Sequence, residues 1–183
     1  MRNPQRSFPT RRIAIALFAT VAIAVPLSGR TQDAGIAVQI KAIDTDCMAI
    51  QNAIAALHPI HLTLVQGNWK VLSDADYAVA QQTRAGIVLV DAWKAEKNYA
   101  WIHSHSFDAQ GNQRATQLCF RQSDGTLERA RQATTVPDLD GASAKVAYFA
   151  ADGSVIFAAS AFDRNDPALS KTIASLPFYS VLP

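Results

Sequence analysis

The apolar residues Ile36, Ile40, Ile43, Cys47, Ile50, Ile54 and Leu57 recur at spacings of four and three, which traces one stripe along an α-helix. Pro59 closes the pattern, because the residue before a proline is pushed out of helical geometry. Ile36, Val38 and Ile40 also alternate, so a short strand ahead of a helix from Thr45 is the alternative for the first turns. Both readings put Cys47 on the buried stripe. The segment 60–72, IHLTLVQGNWKVL, alternates on either side of Gly67-Asn68 and predicts two short strands. Ser73 followed by Asp76 has the form of a capping box, with Asp where Glu is commoner, and predicts a second helix over 74–84 that Gly86 ends.

Beyond Gly86 the period becomes that of extended chain. Strands are predicted at 87–94, 99–107, 113–122, 126–135, 143–150 and 154–162. The connections EKN, DAQGN, SDG and ADG are of hairpin length and carry the Gly, Asp and Asn that tight turns need. Asp166-Pro167 opens a short final helix to about Ser175, and 176–183 reads as extended and docked. The fold class is therefore α+β, with a long N-terminal helix packed on a curved antiparallel β-meander. Cystatin-like and NTF2-like folds have a similar outline, a likeness of element order that carries no function.

The first two dozen residues change the picture of charge. Arg2, Arg6, Arg11 and Arg12 precede the uncharged run IAIALFATVAIA and an Ala22-x-Ala24 site, the form of a cleavable export signal. The run is shorter than the roughly 20 apolar residues a membrane span needs. No cysteine follows it to carry a lipid anchor. The expectation is a signal over 1–24 and one exported domain, periplasmic or secreted, over 25–183, with no stable membrane insertion once the signal is removed. Four of the 17 basic residues leave with the signal and none of the 15 acids does, so 13 basic face 15 acidic residues and the balance is about −2. That removes the electrostatic case for nucleic acid. About 159 residues remain, enough for one domain burying roughly 68–70 % of its unfolded surface.

An exported chain meets oxidising conditions, so Cys47 and Cys119 are expected to pair. Closing that loop of about 73 residues stabilises the fold by roughly 4 kcal/mol in the chain-entropy treatment. No C-x-x-C is present to suggest redox chemistry.

The stretch YAWIHSHSF, 99–107, holds the richest chemistry. Which residues share its face depends on register, since a slip of one residue exchanges the faces of a sheet. Asp108-Ala109-Gln110-Gly111 has Asp first and Gly fourth, as a type I turn followed by a bulge prefers. Counting back from an Asp108–Asn112 pair sets His103 opposite Gln117, Trp101 opposite Cys119 and Tyr99 opposite Arg121. A matching turn at Ser123-Asp124-Gly125 sets Cys119 opposite Arg129 and Gln117 opposite Arg131. One face then carries Tyr99, Trp101, His103, His105, Phe107, Gln117, Cys119, Arg121, Leu127, Arg129 and Arg131. The other carries Ala100, Ile102, Ser104, Ser106, Leu118, Phe120, Glu128 and Ala130. A two-residue turn at Gly111-Asn112 would instead join His103 and His105 to Leu118 and Phe120.

On this reading Trp101, His103, His105, Gln117, Arg121, Arg129 and Arg131 are the candidate ligand-binding residues, suited to an anionic or aromatic group. His103 and His105 lie two apart on one face, near enough to share a metal, but a third ligand is lacking. His58 and His61 flank Pro59 with no sequence reason to converge, and no Glu occurs between Glu96 and Glu128. No metal or cofactor is assigned. Ser104 and Ser106 point away from their histidine neighbours on a strand, and G-x-S-x-G is absent, so serine hydrolase chemistry is excluded. Asp138-Leu139-Asp140-Gly141 lacks the terminal glutamate of a calcium loop.

The leading expectation is a non-enzymatic domain that binds a small ligand or peptide. One alternative is an enzyme using His103 and His105 as metal ligands or as general acid and base. Another is an envelope protein-interaction module that adds a strand at a sheet edge.

Overall fold

The four-and-three stripe folds as one continuous helix, α1 (Ser28–Ile54), so no strand forms ahead of Thr45. The computed structural model describes residues 28–83, 86–96, 98–109, 112–135, 143–166 and 168–183. The expected export signal and the Asp138–Gly141 turn lie outside the described residues. Ile43, Cys47, Ile50 and Ile54 are buried, each isoleucine worth about 2 kcal/mol of burial. Ile36 and Ile40 are half-buried, and Leu57, beyond the helix end, is exposed.

The next elements are β1 (Ile60–Val65), β2 (Asn68–Leu72), α2 (Asp74–Thr83), β3 (Val88–Ala95), β4 (Asn98–Phe107) and β5 (Gln113–Phe120). They are followed by β6 (Leu127–Thr135), β7 (Ser143–Phe149) and β8 (Val155–Ala158). All eight strands form one antiparallel sheet in the order β2-β1-β3-β4-β5-β6-β7-β8. From β3 onward each strand pairs with its successor. The β1–β2 hairpin joins beside β3 through α2. The class is α+β, with one disulfide, Cys47–Cys119, tying α1 to β5. Among the described residues no helix is long and apolar enough to cross a membrane.

Both faces of the sheet are covered. On one, α1 packs Ile43, Ile50 and Ile54 against Ala95, Ala100, Trp101 and Tyr148. On the other, Phe162, Ile173, Leu176 and Phe178 from the C-terminal segment cover Leu62, Val90, Ile102, Leu118 and Phe120. The Asp108–Asn112 pairing holds, with Trp101 opposite Cys119, His103 opposite Gln117, Cys119 opposite Arg129 and Gln117 opposite Arg131. The Gly111-Asn112 alternative is thereby excluded.

Four residues change face, at two bulges. The β3–β4 ladder passes from the Trp93–Trp101 pair to Lys94–Tyr99, leaving Ala100 as an extra residue, and β5–β6 passes from Cys119–Arg129 to Phe120–Leu127, leaving Glu128 extra. Each bulge reverses the alternation beyond it. Tyr99 and Leu127 therefore join the C-terminal side, where Tyr99 donates its hydroxyl to the Pro183 carbonyl at 2.8 Å. Ala100 lies under α1, and Glu128 is buried near Cys119. The Tyr99–Arg121 pair does not form.

The final helix expected over 166–175 is absent too, replaced by short 3-10 turns at Ile173–Ser175 and Tyr179–Val181. The backbone bonds that would wind it are made to the β5–β6 hairpin instead: Leu127 N to Lys171 O and Ile173 N to Gly125 O, both 2.8 Å. Gly125 has φ +69, and a Cβ there would meet Ile173 Cγ2 at 2.7 Å, so glycine is required on both counts.

Candidate metal centre

Asp91 interrupts an apolar run in β3 and shares its side of the strand with Leu89 and Trp93. Strand pairing sets His61, Asp91, His103, Gln117 and Arg131 in one row across the sheet, on the face that carries the helices. His105, two residues beyond His103, brings its ring centroid to 3.9 Å from that of His103, with the planes inclined at 49°. One ligand atom each from Asp91, His103 and His105 lies within 4.8 Å of the other two. Three of the chain's four histidines thus meet at one carboxylate.

The carboxylate is held from the other side. Ser73 Oγ accepts from Asp76 N at 3.2 Å and donates to Asp76 Oδ2 at 2.7 Å, so Ser73 caps the start of α2, with the Asp76 carboxylate taking the serine hydroxyl. This sets Tyr77 in the first turn, facing the sheet, where it stacks on His61 with ring centroids 3.8 Å apart. Tyr77 donates its hydroxyl to Asp91 Oδ2 at 2.7 Å, and His61 Nδ1 meets Asp91 Oδ1 at 2.7 Å. Burial first, and the bond to Asp91 second, push the Tyr77 hydroxyl far above its ordinary range, so it stays a donor. Tyr77→Phe is expected to destabilise the fold by about 1–3 kcal/mol, the cost of leaving Asp91 Oδ2 buried without that donor. Urea unfolding checks this, and unchanged stability would refute the role.

Burial, reinforced by its neighbour His105, holds the His103 imidazolium down at a pKa of about 4, against the opposing pull of Asp91. Burial lowers His105 too. Both rings are neutral in the fold at pH 7, whereas the unfolded chain takes up these protons near pH 6.5. Their contribution is therefore intact above about pH 6.5 and is lost as pH falls from there towards 4. Chelator-treated protein should lose stability across that window, the part above about pH 5 lying clear of carboxylate titration, and His103→Asn should reduce the loss. A flat profile between pH 6.5 and 4.5 would contradict the burial of these rings.

The seven residues singled out in the sequence divide into groups. His103, His105 and Gln117 adjoin Asp91 and its row. Trp101 is buried beneath α1, with the Arg129 guanidinium 5.8 Å above its ring. Arg129 Nη1 binds Asp44 Oδ1 at 2.7 Å, and Tyr148 donates to the same carboxylate, so this pair fastens α1 to the sheet. Arg121 pairs with Glu128 at 2.8 Å and Asp124 at 3.3 Å, and Arg131 is exposed. A second group with ligand character, Cys47, Cys119 and Glu128, is closed to metals because its sulfurs are bonded to each other.

Sequence reasoning missed Asp91 and Tyr77, and it set His61 aside as a residue with no reason to converge on the histidine pair. The search for a carboxylate looked downstream of the histidines, whereas Asp91 comes from the preceding strand. Its signal was a lone acid at an inward position within the apolar run of residues 88–93. Comparison with family models, curated proteins and solved structures finds no match, so the chemistry rests on these residues alone.

Proposed function

We propose that this chain is an exported binding domain whose ligand is a divalent transition-metal ion, held by Asp91, His103 and His105. The carrying observation is that ligand atoms from these three residues lie within 4.8 Å of one another, an imidazole-rich donor set that suits zinc, copper or nickel better than calcium or magnesium. The surroundings fit. Metal-bound groups are usually fixed by outer hydrogen bonds, and here His61 and Tyr77 orient the carboxylate while Gln113 contacts His105 Nδ1 at 2.7 Å. Turning the Gln113 amide to present its oxygen lets Nδ1 donate and frees Nε2 as the ligand.

Ser104 and Ser106 project to the opposite face, so neither acts as a nucleophile beside the histidines. Export is supported by the arginine-led apolar segment and by a disulfide between Cys47 and Cys119. A curved sheet wrapped on the long helix, in the cystatin-like or NTF2-like manner, accords with the element order and belongs to the same proposal. Equilibrium dialysis against zinc should load one ion per chain, removable by chelator. No uptake above a buffer control at micromolar zinc would refute the reading.

A further inference from the structure

On the face opposite the histidines, Leu64, Trp69, Val88, Val90 and Phe178 wall a cleft of about 260 Å3. The volume suits one or two rings, since an apolar cavity of roughly 150 Å3 already holds benzene. Trp69 and Phe178 meet edge to face there with centroids 4.9 Å apart, offering the aromatic surface on which a flat molecule packs.

The polar groups of the cleft decide the ligand's charge. Asp166 is buried and already accepts from Thr116 Oγ1 and Gln132 Nε2, both at 2.8 Å, and from Ala168 N at 2.9 Å. Arg114 is paired with Asp163 at 2.6 Å. These ions are occupied with partners, and the buried Asp166 carboxylate would repel an anion. What remains is Ser104, only 9 % exposed, whose hydroxyl lines the cleft without a hydrogen-bond partner among the described residues. Ser106 stands beside it on the same strand face. A hydroxyl both donates and accepts, so it suits a neutral group that does the same.

The geometry points to a second binding site, for a small neutral aromatic molecule bearing one hydroxyl or N–H group, with Ser104 recognising the polar group and Trp69 and Phe178 packing the ring. It is independent of the metal site, which lies across the sheet. The test is a titration of the full protein with phenol and with benzoate, followed by NMR of the Trp69 indole N–H and of backbone amides. Phenol should give saturable shifts centred on Trp69, Ser104 and Phe178, and benzoate should bind at least tenfold more weakly.

Ser104→Ala should weaken phenol about fivefold, the worth of one hydrogen bond. Ser106→Leu, which fills the cleft, should abolish binding while zinc uptake and the melting curve remain. Absence of saturable shifts, equal binding of benzoate, or undiminished phenol binding by Ser104→Ala would overturn the proposal.

Discussion

Asp91→Ala should lose at least 100-fold in zinc affinity, and His103→Ala and His105→Ala should each lose a comparable amount, because a three-ligand site deprived of one ligand keeps too few donors. His61→Gln should cost about 10–100-fold, since His61 orients the Asp91 carboxylate through a 2.7 Å contact. His58→Ala is the control: it removes an exposed histidine from the connector before β1 and should change nothing. Competition titration against a chromophoric chelator measures all five. Equal affinities for wild type and Asp91→Ala would place the metal elsewhere on the chain. A drop with His58→Ala would show a nonspecific imidazole contribution.

Breaking the disulfide is the second large effect. Cys47 and Cys119 are 72 residues apart in sequence and almost wholly buried between α1 and β5. The Cys47→Ser/Cys119→Ser protein should be less stable by about 4 kcal/mol, within the range of roughly 2–5 kcal/mol seen when small domains lose a native disulfide. Folded domains of this size hold only about 5–15 kcal/mol in total, so much of the protein should unfold under mild denaturant. The cross-link acts with Arg129–Asp44 and the isoleucine stripe in pinning α1, and its loss should loosen the helix before the sheet. Hydrogen exchange at α1 amides, compared with β4 and β5, would show that order. A stability change below about 1 kcal/mol would mean that packing alone holds the helix.

The four-and-three spacing from Ile40 to Ile54 made α1 legible, and Asp and Gly at the turns made the pairing of β4, β5 and β6 legible. These are local signals: a stripe on one helix, a turn of a few residues. The two bulges were not legible. Leu127 beside Glu128 and Tyr99 beside Ala100 do alternate correctly for a regular strand, and only the accommodation of the ladder to its neighbours inserts the extra residue. The C-terminal segment misled for a related reason, because its backbone partners lie on a hairpin some 45 residues earlier. The candidate site shows the same limit at larger scale. His103 and His105 could be found as a pair on one face, but Asp91 becomes their neighbour only through the β3–β4 register, and Tyr77 reaches it only because α2 lies over β1.

The central claim is that two imidazoles and one carboxylate share a metal, and X-ray absorption at the zinc edge of protein loaded with one equivalent tests it most directly. The expected spectrum shows two imidazole nitrogens and oxygen ligands at about 2.0–2.2 Å, no sulfur, and loss of the imidazole scattering in the His103→Ala/His105→Ala protein. A shell of water oxygens alone, or sulfur at about 2.3 Å, would contradict it.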